Sequence, residues 1–283
     1  MPKICRQNFN PDNSPYCFRN AMEVLARKTL NVLISSILYI RQKLVERSCR
    51  VMEILEQDSN YYLNKKNLAD GLDLLDDIVT ESIATAFFDP QYRGVLDKLK
   101  YGNEGSARGR ARCELTQMDE TTIKAFIHKI DRVLKKSGHL FLWVDKFHLC
   151  QGVLDWFEDT DLNLVDMIVW DKGKIGMGYR TRRKSEYLIV FQKSPVRAKA
   201  CWTDHAIPDV WEEKTPKLHP HSKPVELQKR LIAATTVDGD CILDPASGGF
   251  SVFEACRQLG RDFIGSDIEY GENKDSFADR VGG

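Results

Sequence analysis

The spacing of apolar residues changes near residue 65. Before that point, apolar positions recur at helical spacing from Val24 to Leu44 among many lysines and arginines, which predicts a helical extension over residues 1–64. Beyond it, short β-rich runs alternate with helical stretches, as is typical of a parallel sheet with crossover helices. The sequence therefore predicts two parts: the extension and an α/β domain over residues 65–283.

Six runs of the α/β part are predicted as strands and four amphipathic stretches as helices. The strands are Ile83–Phe88, His139–Val144, Leu164–Trp170, Tyr187–Phe191, Cys241–Leu243 and Asp262–Gly265. The first helix carries an apolar stripe from Ile123 to Leu134 and is expected to stop at Gly138; the others are Phe147–Phe157, Pro224–Ala234 and Ser251–Leu259. Pro224 suits the first helical position, where its missing N–H would be unpaired in any case.

Composition limits the partners and the cellular environment expected for this protein. The 41 basic and 41 acidic residues balance, so contact with nucleic acid must come from local basic patches. The eight cysteines form no C-x-x-C pair and follow no secretory leader, which favours reduced thiols in the cytoplasm. The most apolar run, Val32–Ile40, is too short to span a bilayer. We therefore expect a soluble protein with no membrane segment.

A candidate cofactor segment runs from Asp240 to Ser251. It combines a buried strand, a glycine turn and a helix start, so that backbone N–H groups and the positive end of the helix face a ligand. Asp244 ends this strand, and Asp267 ends the next one, where a carboxylate can accept both hydroxyls of a ribose. The turn is not G-x-G-x-x-G, which favours a nucleoside cofactor with a short charged tail over a dinucleotide. The alternative is an ordinary glycine turn of an α/β protein.

A candidate target segment follows the strand Ile83–Phe88. Asp89 and the carbonyl group of Pro90 can both accept hydrogen bonds from an amino group, and the ring of Tyr92 can stack on a base. Such acceptors would orient a nitrogen lone pair and stabilise the positive charge that grows on it. The alternative is that these residues only turn the chain after the strand.

Two basic segments are candidates for contact with phosphates. The stretch 93–118 has no clear periodicity, and a second basic run lies within residues 172–199. The residues concerned are Arg108, Arg110, Arg112, Lys172, Lys174, Arg180, Arg182, Arg183 and Lys184. The alternative is a solvated basic face.

The target and cofactor segments together resemble the amino-methyltransferases of DNA. The family's target motif is D/N/S-P-P-Y/F and its cofactor motif is D-P-F-x-G-x-G, which stand here as Asp89-Pro90-Gln91-Tyr92 and Asp244-Pro245-Ala246-Ser247-Gly248-Gly249-Phe250. The chain departs from the motifs at Gln91, Ala246 and Phe250. Its target motif comes first, as in the family's permuted beta group. The resemblance covers residues 65–270 and implies a doubly wound, mostly parallel Rossmann-like sheet.

The resemblance also implies boundaries for the parts of the domain and roles for individual residues. It gives a target-base half over 65–193, a short recognition segment over 194–218 and a cofactor half over 219–270. It implies catalytic roles for the four residues of the target motif, Asp89, Pro90, Gln91 and Tyr92. It implies that S-adenosyl-L-methionine is bound by Asp70, by Ser222 and Lys223 of the H-P-x-x-K-P segment, and by Asp244, Pro245, Ala246, Gly248, Phe250, Ser251 and Asp267.

The implied activity is methylation of an exocyclic amine on a base flipped out of double-stranded DNA. Adenine N6 is favoured because the first motif residue is Asp, whereas Ser is commoner in cytosine enzymes; cytosine N4 is the first alternative. A catalytically weakened DNA-binding subunit and a methyltransferase of RNA or protein glutamine are the others. No motif indicates a metal. A homodimer fits the N-terminal pattern as well as a separate helical domain does, and both a solitary enzyme and a partner of a restriction nuclease remain open.

Overall fold

The computed structural model describes residues 36, 38, 39, 42, 53–91, 118–176, 180–215 and 223–272. The chain divides into two compact units, Met1–Met52 and Glu53–Gly283. In the first unit, the described residues 36, 38, 39 and 42 are helical. The fold and the site below belong to the second unit. Among the described residues, no helix is long and apolar enough to cross a membrane.

The second unit contains eight strands and five α-helices within its described residues. The strands are β1 (Asn67–Leu68), β2 (Ile83–Phe88), β3 (Leu134–Val144), β4 (Leu162–Asp171), β5 (Ser185–Lys193), β6 (Val210–Glu212), β7 (Cys241–Asp244) and β8 (Asp262–Asp267). The helices are α1 (Gly71–Asp76), α2 (Glu120–Val133), α3 (Lys146–Gln151), α4 (Val225–Thr235) and α5 (Ser251–Leu259), with a 3₁₀ turn at Leu154–Phe157.

All eight strands form one sheet in the order β1-β8-β7-β2-β3-β5-β4-β6. The first five strands of this order, β1, β8, β7, β2 and β3, are parallel to one another. Strand β5 is antiparallel to both β3 and β4, and β6 is parallel to β4. This confirms the predicted doubly wound, mostly parallel α/β fold. Because β2 lies between β7 and β3, the strand before the target motif and the strand before the cofactor turn are direct neighbours.

Strand β2 is the centre of the core. All six of its residues are buried, which explains why it reads as a continuous apolar run rather than an alternating one. On one face Phe87 stacks on Phe141, with ring centroids 4.8 Å apart, and on the other Phe88 stacks on Phe126 at 5.0 Å. The strand is thus held by helices and neighbouring strands on both sides, and this fixes the position of the residues that follow it.

Three local predictions were wrong. Helix α2 ends at Val133 rather than Gly138, because Leu134 is already extended and pairs with β2; Gly138 lies inside β3, packed against the carbonyl oxygens of Ala84 and Lys135. The helix predicted over 147–157 is two pieces, since Gly152 between them has a φ of 94°. Pro224 is the N-cap of α4 and not its first helical residue, because its ψ of 110° is extended.

Candidate active site

A cleft opens at the carboxyl edge of the sheet, where β2 and β7 end side by side. It encloses about 450 Å³, including space open to solvent. Asp89 and Gln91 line it after β2, the glycine turn at residues 246–249 lines it after β7, and Lys223 borders it just before α4. The fold therefore brings the predicted target motif and the predicted cofactor turn into one cavity.

The cofactor turn is held by its own backbone and by β8. Asp244 is the buried last residue of β7, and its carbonyl oxygen accepts a hydrogen bond of 2.6 Å from the hydroxyl group of Ser247. The N–H group of Ser247 donates to the carbonyl oxygen of Ser266 at 2.9 Å. Helix α5 begins directly after the turn, so the N-terminal end of its backbone dipole is directed at the cleft.

Phe250 accounts for one departure from the family motif. It has a φ of 56° and a ψ of 38°, the left-handed conformation that the family's glycine would adopt without strain. The ring compensates for this strain because it is only 3% exposed and packs edge-on against Phe263, with centroids 6.4 Å apart. Phe250 thus combines a buried ring with a backbone conformation that glycine adopts more readily.

Asp267 lies at the end of β8, beside the glycine turn. One carboxylate oxygen accepts a hydrogen bond of 2.9 Å from the N–H group of Gly248. The other accepts from the N–H groups of Glu269 and Tyr270 at 2.8 and 2.9 Å. The carboxylate predicted to bind ribose is thus oriented by three backbone donors on the same edge as the cofactor turn.

Asp70 is brought to the same place by a close packing contact. It is the N-cap of α1, and its side chain accepts from the N–H group of Leu72 at 2.7 Å. The neighbouring Gly71 lies against the cofactor turn, since a β-carbon there would be 2.0 Å from the carbonyl oxygen of Pro245. The N–H group of Ala69 donates to the carbonyl oxygen of Asp267 at 3.1 Å. Segments from opposite ends of the α/β unit therefore meet around the cofactor turn.

On the target side, Asp89 forms an ion pair with Lys223. The ammonium nitrogen is 2.9 Å from one carboxylate oxygen of Asp89. Pro90 is buried, and the carbonyl oxygen of Gln91 accepts from the N–H group of Met118 at 2.8 Å. Tyr92, Ser222, Arg108, Arg110 and Arg112, which were also predicted to act here, lie outside the described residues.

Electrostatics in the cleft are dominated by buried charges. Burial, followed by the negative charge of Asp89, holds the pKa of Asp244 well above its usual range. Burial opposes the charge of Lys223 too, but Asp89 and Glu186 together hold the pKa of its ammonium group above the usual value. The lysine therefore remains charged and keeps Asp89 paired.

Glu186 is a site residue to which the sequence analysis gave no role. It is the second residue of β5, and its carboxylate lies 3.0 Å from the ammonium nitrogen of Lys223 and also pairs with Lys172. Although burial raises it, the charges of Lys223 and Lys172 bring the pKa of Glu186 down to about 2. The available signal was an isolated acid at the start of an otherwise apolar strand.

The predicted basic run lies at the same edge of the sheet. Val144, at the end of β3, pairs with Tyr187 in β5, and Asp171, at the end of β4, pairs with Ser185. The turn from β4 to β5 therefore lies on the side where β2 and β7 end. Within this turn Lys172 pairs with Glu186 and Lys184 with Asp171 at 2.6 Å.

The remaining basic residues of the turn are placed differently. The guanidinium group of Arg183 lies over the ring of Phe147, 5.8 Å from its centroid. Lys174, Arg180 and Arg182 are exposed. The run therefore contains two lysines that pair with acids, one half-buried arginine over an aromatic ring and three exposed cations.

The cleft suits the cofactor that the resemblance implies. Gln228 and Trp143 line it, and both are almost fully buried. The side-chain oxygen of Gln228 and the indole N–H of Trp143 have no hydrogen-bond partner within the described part of the chain. One acceptor and one donor match the ammonium and carboxylate groups of an amino-acid tail, and the glycine turn leaves room for close approach. The described residues contain no cluster of His, Cys, Asp and Glu that could hold a metal ion.

Comparison with known proteins agrees with this arrangement. The family model for DNA methylases of the N6 and N4 type matches residues 85–275. The chain is 59% identical over 220 residues to Type II methyltransferase M.HhaII of Haemophilus parahaemolyticus, a match that covers 77% of this chain and 96% of that protein. It is 26% identical over 242 residues to Type II methyltransferase M2.LlaDCHI of Lactococcus lactis subsp. cremoris, covering 74% and 87%.

Solved structures share the fold. The complex of M1.HpyAVI with SAM superimposes with a TM-score of 0.53 at 18% identity and covers 73% of this chain and 94% of that one. The cytosine-N4-specific PvuII DNA methyltransferase gives 0.57 at 14%, covering 76% and 86%. The family-model match over residues 85–275 and the 59% identity to M.HhaII show that the chain belongs to the N6/N4 family of DNA methylases. It is a DNA methyltransferase, and its methyl donor is S-adenosylmethionine, as predicted.

Proposed function

We propose that this chain is a site-specific type II enzyme that methylates N6 of adenine in double-stranded DNA. The observation that carries the proposal is the single cleft in which the carboxylate of Asp89 faces the cofactor turn that begins after Asp244. The 59% identity to M.HhaII supports the type II assignment. The enzyme would then act in a bacterial cytoplasm beside a restriction nuclease of matching specificity.

The cofactor half is proposed to bind S-adenosylmethionine, which supplies a methyl group on a positively charged sulfur and leaves as the neutral thioether. Asp267 accepts the ribose hydroxyls, and Asp70 lies where the family contacts the adenine. The cofactor turn and the start of α5 contribute Ala246, Gly248, Phe250 and Ser251, and the end of β7 contributes Asp244 and the adjoining Pro245. Ser222 and Lys223 belong to the segment that lines the methionine end. The support is that the described members of this set surround one turn of the backbone.

The target half is proposed to hold the exocyclic amine of a flipped base. Asp89 and the carbonyl group of Pro90 accept from the two amine hydrogens and so direct the nitrogen lone pair at the methyl group. Asp89 is ion-paired with Lys223 at 2.9 Å, and its carboxylate stabilises the positive charge that develops on nitrogen. Tyr92 stacks on the base, and Gln91 lines the cleft where the family has its second proline. The amine then releases a proton to solvent, so no covalent enzyme intermediate is required.

Adenine is the proposed base because the first residue of the target motif is Asp. The fold alone serves both bases, since the PvuII enzyme of the same fold is specific for cytosine N4. In either base an amino group donates to the same acceptors, and the choice depends on the rest of the pocket. Cytosine N4 is therefore the outcome that would change the substrate and leave the mechanism intact.

Contact with DNA phosphates is proposed for the turn from β4 to β5. Lys174, Arg180, Arg182 and Arg183 lie at the same sheet edge as Asp89, so a duplex whose base enters the cleft would pass near them. Lys172 and Lys184 contribute less to this surface because acids neutralise them. Arg108, Arg110 and Arg112 are assigned to the same task from the sequence.

The test is nucleoside mass spectrometry of unmethylated plasmid DNA after incubation with the protein and S-adenosylmethionine. Asp89→Asn is the matched variant, since it keeps the shape of the side chain and removes its charge. Calorimetric measurement of S-adenosylhomocysteine binding checks that the variant is folded. We expect N6-methyladenine with the wild-type chain and a loss of about 100-fold or more in rate with the variant. N4-methylcytosine would overturn the choice of base, and the absence of any methylated nucleoside would overturn the proposed activity.

A further inference from the structure

The ammonium group of Lys223 lies between two carboxylates. Its nitrogen is 2.9 Å from Asp89 and 3.0 Å from Glu186, and its side chain is only 13% exposed. It also lies over the ring of Trp143, 4.9 Å from the centroid. A buried lysine with two anionic partners and an aromatic face has few other positions to adopt.

Three separate parts of the fold supply this cluster. Asp89 follows β2, Glu186 stands near the start of β5, and Lys223 directly precedes the N-cap of α4. Lys172, the residue directly after β4, adds a fourth part. Its ammonium group pairs with the other carboxylate oxygen of Glu186 and lies over the ring of Trp170, 5.1 Å from the centroid. The four side chains form a row of alternating charge, Asp89, Lys223, Glu186 and Lys172, whose sum is zero.

Glu186 and Lys172 are the members of this row that do not line the cleft. Asp89 and Lys223 both border the cavity, whereas Glu186 reaches it only through Lys223. A lysine has a long, flexible side chain, so an ion pair with Asp89 alone would leave both side chains able to move together. The second carboxylate, on the rigid strand β5, removes this freedom because it fixes the ammonium group from the opposite side.

We propose that Glu186 is a positioning residue for methyl transfer: it anchors Lys223 against Asp89 and so fixes the carboxylate that accepts from the target amine. The inference rests on the proposed function, since it assigns Asp89 to the target amine. Glu186 touches neither base nor cofactor in this scheme. Its loss should therefore slow the chemical step much more than it weakens binding of the cofactor.

The charges around Lys223 predict the pH behaviour. Asp89 after β2, Asp244 after β7 and Glu186 on β5 face it with carboxyl groups, and Lys172 is the nearest cation of the row. Glu186 and Asp89 both raise the pKa of the Lys223 ammonium group. Removing the charge of Glu186 lowers that pKa, so Lys223 would lose its proton, and Asp89 its partner, at a lower pH.

The experiment compares Glu186→Gln, Glu186→Asp and the wild-type chain, with Glu212→Gln as a control. Glu212 ends β6 at the same sheet edge and is exposed outside the row. Single-turnover transfer of labelled methyl groups to plasmid DNA is measured from about pH 6 to about pH 10, and binding of S-adenosylhomocysteine is measured by calorimetry. We expect Glu186→Gln to transfer about 10 to 100 times more slowly, with affinity within about twofold. The wild-type rate should stay level up to about pH 10, because the pKa of Lys223 lies above its usual value, whereas the rate of Glu186→Gln should already fall below about pH 10. Glu186→Asp should recover most of the rate.

The outcomes separate the two proposals. An active wild-type chain with an equally fast Glu186→Gln variant would overturn the role of Glu186 alone. Slower transfer with weakened cofactor binding, an unmoved alkaline limb and no recovery in Glu186→Asp would also overturn it, because that result indicates a structural role. A wild-type chain that binds S-adenosylhomocysteine and methylates no DNA would overturn the proposed function and this inference with it.

Discussion

The α-carbon of Gly71 packs directly on the carbonyl group of Pro245, so closely that a β-carbon on Gly71 would lie 2.0 Å from the Pro245 oxygen. The ring of Phe126 closes the other side of this position at 2.7 Å. The contact joins the start of α1 to the cofactor turn, two segments at opposite ends of the α/β unit in sequence. The geometry of the turn therefore depends on a residue that belongs to neither of the family's motifs.

Replacing Gly71 with alanine should disturb both stability and cofactor binding. The added methyl group cannot be accommodated against backbone atoms, so either α1 or the turn at Pro245 must shift. We expect the free energy of unfolding to fall by about 1–3 kcal/mol, as overpacked sites do, and S-adenosylhomocysteine to bind more weakly. Urea denaturation and calorimetry measure the two effects.

Gly260→Ala is the matched control for this prediction. Gly260 has a φ of 65°, and no atom lies within 4 Å of the position that an added methyl group would occupy, so only the backbone conformation is penalised. We expect a loss of about 1 kcal/mol with unchanged cofactor affinity. Equal cofactor affinity in both variants would show that the contact between Gly71 and Pro245 does not shape the binding site.

Asp267→Ala should weaken cofactor binding more than it weakens the fold. The variant removes the acceptor proposed for ribose and the partner of the Gly248 N–H group, which orients the cofactor turn. We expect S-adenosylhomocysteine to bind about tenfold or more weakly, which corresponds to about 1.4 kcal/mol. Glu269→Gln, two residues further on and exposed, should bind normally. Normal binding by Asp267→Ala in calorimetry would contradict the assignment.

Acid should destabilise the protein through His139. This residue is 3% exposed, and burial lowers its pKa from 6.5 to about 4. Between these values the unfolded chain binds a proton that the folded chain does not, so the free energy of unfolding falls as the pH drops from 6.5 to about 4. The loss attributable to this residue is about 3 kcal/mol, at about 1.4 kcal/mol per pH unit.

His139→Phe tests this dependence. The replacement keeps an aromatic ring beside Phe141 and Trp202, whose centroids lie 6.2 and 5.6 Å from the histidine ring, and it cannot be protonated. Urea denaturation between about pH 4 and about pH 7 should show a shallower decrease for the variant. The contribution of Glu186 lies lower, since its pKa falls to about 2 and its stabilising effect is lost only below about pH 4.5. Identical slopes above pH 4.5 would contradict the role of His139.

Binding of DNA should depend on the exposed cations of the turn from β4 to β5. Replacing both Lys174 and Arg180 with alanine should weaken binding and reduce the slope of log affinity against log salt by about 0.9 for each phosphate that is no longer neutralised. Lys184→Ala is the control, because Asp171 already neutralises that lysine at 2.6 Å. Fluorescence anisotropy at several salt concentrations measures the slopes. An equal change in Lys184→Ala would mean that the ion pair opens on DNA.

Local chemistry allowed the sequence to determine much of the fold and of the candidate site. The continuous apolar run of β2 and the match of α5 to its predicted limits, Ser251–Leu259, follow from periodicity, which depends only on neighbouring residues. The positions of Asp89, Asp244 and Asp267 are predictable because each ends or directly follows an apolar strand, and the carboxyl ends of parallel strands share one edge. The same short segments carry the resemblance to the family.

The tertiary structure alone decided which charges meet. Its basic sequence neighbours predict Lys172 as a phosphate contact, but the antiparallel pairing of β4 with β5 turns it toward Glu186. Glu186 and Lys223 are 37 positions apart, and no periodicity predicts their contact. The early end of α2 at Val133 has a similar origin, because pairing of Leu134 with β2 competes with a local helical pattern. Local propensity is weak compared with such long-range contacts, so the sequence indicated the chemical groups and the fold determined their partners.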